Sequence, residues 1–184
     1  MYSLPILVLL LVAYALHSIY LISSDLLHRI SFFLLFYKKN ANQFQKLANE
    51  FLQENLHVYL RSDIKKELIM QQEKNELIFI MSTSPSFLVR PIAKILHVNN
   101  VLATEYEVDV NGQFSKIAYI VDGNEKKEKL LQISKKISPS PEITVYSDSM
   151  RDFPIFKICQ NPIAVYPEKS LRRFAKNNDW RIIG

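Results

Sequence analysis

Apolar and polar positions along this chain fall into two regimes. Residues 4–22 are almost wholly apolar, and residues 1–24 contain no charge. About 20 such residues suffice to cross a bilayer. Asp25, His28 and Arg29 then interrupt the run, and a second apolar patch, residues 30–37, is too short to cross alone. No basic residue precedes the first run and no clear small-x-small site follows it, so it is a poor signal peptide. Three readings stand: the segment enters or crosses a membrane, it forms greasy helices lying on a membrane or closing over an active site, or it is a helix buried in a protein core. Contact with a membrane through residues 4–36 is the expectation, with the remainder of the chain facing the cytoplasm; a wholly cytoplasmic protein is the alternative.

From residue 42 to 60 apolar side chains recur at three and four (Phe44, Leu47, Ala48, Phe51, Leu52, Leu56), which predicts an amphipathic helix. Helix continues over residues 62–72. At residues 77–81, LIFIM is a short unbroken apolar run, the mark of a strand buried on both faces. A helix follows at 87–96 and a strand at 101–104. Residues 105–110 and 113–120 alternate around Asn111-Gly112, a hairpin signal. Then come a charged helix at 125–136, a loop at 138–142, a strand at 143–147, a helix at 153–160 with Pro154 in its first turn, a strand at 162–166, a helix at 170–177 and a last strand at 180–183. Strands alternating with helices from residue 77 onward predict an α/β domain with a mostly parallel sheet.

Composition narrows the function. The chain has 184 residues, a net charge of +5 and a single cysteine, Cys159, so neither an internal disulfide nor a cysteine metal cage can form. Only three glycines are present, which argues against a glycine-rich nucleotide loop. The basic residues are scattered, without a zinc finger or an aromatic-interleaved stripe, so nucleic acid is not expected as a partner.

Candidate chemistry lies where strands end. Ligands of parallel sheets sit beyond the carboxyl ends of the strands, where Ser82, Thr83 and Asp148 fall. Asp148 and Asp152 in YSDSMRDFPIF are oxygen donors suited to Mg2+; alternatively, Asp152 caps the next helix and Asp148 is a turn residue. Ser82 and the backbone after it could hold a phosphoryl oxygen, or make a plain turn. Lys126, early in its helix, could offset phosphate charge, although several lysines share that helix.

Taken in order, IFIMSTSPSFLVRPIA, LATEYEV with NGQF, GNEKKEKL, YSDSMRDFPIF and PIAVYPEKSLRRFA with WRII resemble the haloacid dehalogenase-like phosphohydrolases. The match resembles most the branch of phosphoserine phosphatases and the lipid-phosphate phosphatase phosphatidylglycerophosphatase C. The resemblance implies an α/β core at residues 76–184, a Rossmann-like parallel sheet with helices on both faces, and an apolar helical cap at residues 1–75. It implies a Mg2+-dependent phosphomonoester hydrolase acting on a phosphorylated small molecule or a lipid phosphate such as phosphatidylglycerophosphate. Ser82, with Thr83, would bind phosphoryl oxygen, Lys126 would pair with the phosphate, Asp148 would ligate Mg2+ and Asp152 would support the metal site.

One part of that pattern is absent. The family's attacking aspartate and its acid/base partner stand in an Asp-x-Asp-x-Thr motif, and no Asp-x-Asp occurs in the 184 residues. The motif's strand would lie centrally in the sheet, between the strands ending at Ser82 and Ser147, so the resemblance implies a sheet lacking its first strand. A reading that starts partway through the cap is one expectation; a remnant that binds phosphate or Mg2+ without turnover is the other.

Overall fold

The computed structural model describes residues 4–18, 21–137 and 141–184. The connection within the apolar run at residues 19–20 and most of the loop expected at 138–142 lie outside them. Contacts divide the chain into two compact units, Met1–Ile120 and Val121–Gly184. The boundary falls after Ile120 rather than at residue 75, because the first sheet packs with the N-terminal helices.

In the first unit, α1 (Leu4–Ser18) and α2 (Ser24–Leu35) are followed by α3 (Ala41–Tyr59), α4 (Ser62–Glu73), β1 (Phe79–Pro85), α5 (Ser86–Ile95), β2 (Asn100–Val108) and β3 (Phe114–Tyr119). The apolar run expected to reach residue 22 makes a helix of 15 residues. Among the described residues no helix is long and apolar enough to cross a membrane. Polar side chains set the helix starts: Ser23 Oγ accepts from Leu26 N at 3.1 Å, and Asn40 Oδ1 from Gln43 N at 3.0 Å.

β1 pairs in parallel with β2, and β2 antiparallel with β3. The segments expected as separate strands at 101–104 and 105–110 are one strand, β2. The hairpin loop is wider than a two-residue turn. It runs from the end of β2 at Val108 to Phe114, and Asp109 organises it by accepting from Asn111 N and Gln113 N, each at 3.0 Å. Gly112 sits there at φ +75, where a side chain is disfavoured. β1 is only partly buried, not buried on both faces as LIFIM predicts, because it is the outer strand of its sheet.

Aromatic rings build this unit's core. Phe36 lies 5.2 Å from Phe44, 5.5 Å from Phe87 and 5.6 Å from Tyr106, ring centre to ring centre, and Phe114 packs among them. Pro91 inside α5 removes the hydrogen bond that Phe87 O would accept in a regular helix. Gln45 Nε2 of α3 donates to that carbonyl at 3.0 Å, so the helix interruption becomes a fastening between α3 and α5.

In the second unit, α6 (Gly123–Ile137) leads to β4 (Thr144–Ser147), a 3-10 turn (Met150–Asp152), α7 (Phe153–Phe156), β5 (Asn161–Val165), α8 (Lys169–Asn177) and β6 (Arg181–Ile183). Its sheet is wholly parallel, in the order β4-β5-β6. Val145, Ile155, Phe156, Ala164, Leu171 and Ala175 form its core, with Trp180 and Ile182 against them. The helix expected over 153–160 stops at Phe156. Gln160 Oε1 accepts from Ile143 N at 2.9 Å, and Gln160 N donates to Ile143 O at 3.1 Å. These bonds bend the chain into β5.

His28 of α2 gives the first unit a pH dependence. Burial lowers its pKa from 6.5, Asp25 opposes this and Arg29 adds to it. Burial also raises the pKa of Tyr106, whose hydroxyl is hydrogen-bonded to His28 Nε2 at 2.8 Å. Because the folded pKa is depressed, His28's contribution is complete above the unfolded value of about 6.5 and is lost as pH falls through it toward the folded value. The urea midpoint is expected to fall between about pH 7.5 and about pH 5.5, and His28→Asn to flatten that slope. An unchanged slope in the variant contradicts the assignment.

Candidate active site

Lys126 is the buried ion of the second unit. It lies in the first turn of α6, and its side chain is 7% exposed. Asp122 starts that helix by accepting from Asn124 N at 2.8 Å and Glu125 N at 2.9 Å. An ammonium taken out of water requires a counter-charge. Asp152, 15% exposed, supplies it at 2.6 Å between Nζ and Oδ1. The other oxygen of Asp152 accepts from Ser147 Oγ at 2.7 Å, and Ser147 Oγ also accepts from Ser149 N at 3.3 Å. Lys126, Asp152 and Ser147 thus link the start of α6, the 3-10 turn and the carboxyl end of β4. Among the described residues no buried side-chain nitrogen or oxygen lacks a partner.

Close packing brings α6 to that turn. A Cβ on Gly123 would lie 2.2 Å from Arg151 O and 3.2 Å from the Pro154 ring, so only glycine allows this approach.

Asp148 follows Ser147 and is exposed. Its backbone oxygen accepts from Glu168 N at 2.9 Å, while Glu168 Oε1 accepts from Met150 N at 2.8 Å and Ser170 Oγ at 2.9 Å. Glu168 thereby ties the loop after β4 to the start of α8. The capping alternative for Asp152 does not hold: its side chain makes no cap bond to α7 and binds Lys126 instead.

Asp148 and Asp152 are oxygen donors of the kind Mg2+ takes. That ion takes hard oxygen ligands, commonly one or two carboxylates completed by water and substrate phosphate. Asp148 offers an accessible carboxylate, and Asp152 is engaged by Lys126 and Ser147. Among the described residues no group of three or more His, Cys, Asp or Glu gathers. Burial pushes the Cys159 thiol pKa up, and its Sγ donates to Phe156 O at 3.3 Å, surroundings that disfavour the thiolate.

Ser82 and Thr83 lie in the other unit, near the carboxyl end of β1. Ser82 Oγ accepts from Ser84 N at 3.1 Å, the local turn its sequence allows. Thr83 O accepts from Thr104 Oγ1 at 2.7 Å. Of the five residues singled out by sequence, Lys126 and Asp152 are in direct contact and Asp148 adjoins the end of β4 from which Ser147 reaches Asp152. Sequence reasoning missed Ser147, Gly123 and Glu168 as parts of this arrangement. The small residue at the end of a strand was the available signal for Ser147; Gly123 acts through close backbone packing and Glu168 through its carboxylate on Met150 N, contacts between residues distant in sequence that no local pattern marks.

Residues 5–157 match the sequence profile of the haloacid dehalogenase-like hydrolase family. A histidinol-phosphatase of Neisseria meningitidis is 23% identical over 153 residues, covering 78% of this chain and 68% of that protein. Among solved structures, a protein of unknown function from Bordetella pertussis superposes with a TM-score of 0.82 at 20% identity, covering 94% of this chain and 79% of its own. A phosphoserine phosphohydrolase-like protein from Francisella tularensis superposes with a TM-score of 0.68 at 16% identity, covering 99% and 82%.

Removing either partner of the buried pair leaves the other charge uncompensated. Lys126→Met and Asp152→Asn are each expected to cost about 3 kcal/mol or more in urea denaturation, and the double variant less than their sum. Additive losses would show that the two groups do not depend on each other.

Proposed function

The chain belongs to the haloacid dehalogenase-like hydrolase family, and we propose that it carries the phosphate- and Mg2+-binding half of a phosphomonoester hydrolase site, whose attacking Asp-x-Asp pair is not among these 184 residues. The observation that carries this reading is the buried Lys126 ammonium held by Asp152 beside the carboxyl end of β4. An ammonium has three donors, and Asp152 Oδ1 accepts one. A phosphoryl oxygen is the ligand that a fixed ammonium at a strand end suits. Asp148 would hold Mg2+, and Asp152 would set the position of the lysine and support the metal. When bound, the metal supplies positive charge against the phosphoryl oxygens.

For the substrate, we favour a phosphomonoester presented at a membrane, a lipid phosphate such as phosphatidylglycerophosphate. The uncharged residues 1–24 and the apolar patch at residues 30–37 support this choice. One relative is named a histidinol-phosphatase, which supports a phosphate ester as the bond acted on.

A second reading rests on the missing Asp-x-Asp itself, the pair that would attack phosphorus and move the proton. In this reading Lys126, Asp148 and Asp152 bind phosphate and Mg2+ without turnover.

Protein purified from its own cells, assayed with p-nitrophenyl phosphate and separately with dispersed phosphatidylglycerophosphate, distinguishes them. The hydrolase reading expects phosphate release that chelation of Mg2+ abolishes and that Asp148→Asn, an exposed change, reduces to background. Calorimetric binding of Mg2+ and vanadate, weakened by Asp148→Asn but without phosphate release, selects the second reading. Neither binding nor release rejects both.

A further inference from the structure

A helix that is apolar on every side is normally buried, in a protein core or in a membrane. α1 has no charged residue and no polar side chain before Tyr14. Its packing partner is α2, and much of it is uncovered: Val8 is 48% exposed, Leu9 54%, Leu11 68%, Val12 51% and Tyr14 65%. At about 100° per residue these five positions spread over roughly 220° of the helix circumference. α1 and α2 also border an apolar groove of about 510 Å3 lined by Leu9, Val12, Leu16, Ile30, Phe33 and Leu34.

We infer that α1 lies in the interface of an anionic lipid bilayer, with its exposed arc among the acyl chains and α2 behind it. Among the described residues no helix is long and apolar enough to cross a membrane. The 15 residues of α1 extend about 22 Å, short of a hydrocarbon core of about 30 Å. Charge complements the surface. Arg29 pairs with Asp25 and Lys38 with Asp109, and Lys39 adds a further positive charge within a chain of net charge +5; anionic headgroups attract such basic positions. Tyr14 on α1 and Tyr37 after α2 are both exposed, and tyrosine favours the membrane–water boundary.

The breadth of the exposed arc favours lipid over a protein partner. A protein groove covers one side of a helix, and protein interfaces carry about one hydrogen bond per 100–200 Å2. Here Tyr14 supplies the only polar group on the exposed arc among the described side chains. Lipid surrounds a helix from several directions and requires no polar anchor. α2 in turn anchors the pair to the unit. Phe32, 6% exposed, packs against Tyr106 at 4.7 Å between ring centres. The inference does not depend on the reaction proposed above.

The test is flotation of the full chain with vesicles of phosphatidylglycerol and phosphatidylcholine, and with phosphatidylcholine alone. The wild type is expected to float with the mixed vesicles and to stay bound after a high-salt wash. Leu11→Asp is expected to lower partitioning by roughly tenfold or more, and Lys39→Glu by a few-fold on anionic vesicles only. Val8→Ala with Leu11→Ala keeps the helix, and its partitioning should fall with circular dichroism unchanged. The inference is overturned if the wild type stays unbound, or if these α1 variants float as it does. A soluble dimer that Leu11→Asp dissociates, without vesicle binding by the wild type, also overturns it, since a second copy would then cover α1.

Discussion

A buried ammonium cannot be left without a counter-charge, and the second unit is organised around that requirement. Lys126 is brought inside by the first turn of α6, which Asp122 starts by accepting from two backbone N–H groups. Asp152 meets it from the 3-10 turn after β4, and Ser147 holds the other carboxylate oxygen. Each contact joins a different element, so a single ion pair relates a helix start, a turn and a strand end. Buried ion pairs of this kind add little net stability compared with apolar packing. Their effect is positional, which is what a phosphate or metal site requires.

The first unit is held differently. Its core is a cluster of rings contributed by α2, α3, α5, β2 and β3, where large apolar areas leave water and ring edges meet ring faces. Polar groups serve as local fasteners around that core. Gln45 donates to the carbonyl that Pro91 leaves free, and Lys38 bonds Asp109 at 2.9 Å across to the hairpin loop. The backbone of residues 38–41 is joined to the same hairpin through Phe114 and Gly112. This stitching is why the apolar helices and the first sheet form one compact unit.

Much of this was legible in the sequence because it depends on local pattern. The three- and four-residue spacing of Phe44, Leu47, Phe51 and Leu52 gave α3, and the apolar runs ending at Ser82 and Ser147 gave two strands. Lys126 and Asp152 stood out only as members of an ordered set, since either alone reads as a surface lysine or a helix cap. What stayed hidden was decided by partners distant in sequence. LIFIM looks fully buried, yet β1 is the outer strand of its sheet. The helix after Pro154 is cut short by bonds from Gln160 to Ile143. Asp109 widens a loop that Asn111-Gly112 suggested was tight. None of these outcomes has a signature in a short window.

Gly123 shows how a residue can matter to a site without any chemistry of its own. Its missing methyl group lets the start of α6 approach the Arg151 carbonyl and the Pro154 ring. In a saturation mutagenesis screen scored on survival, this position would accept almost no replacement, while Lys127 and Glu128 a turn away would vary freely. Scored by tolerance alone, Gly123 would rank beside Lys126 and invite a catalytic label. Its intolerance would record a distance between two backbones, and a map of invariant positions around this site overstates the number of groups that meet a ligand.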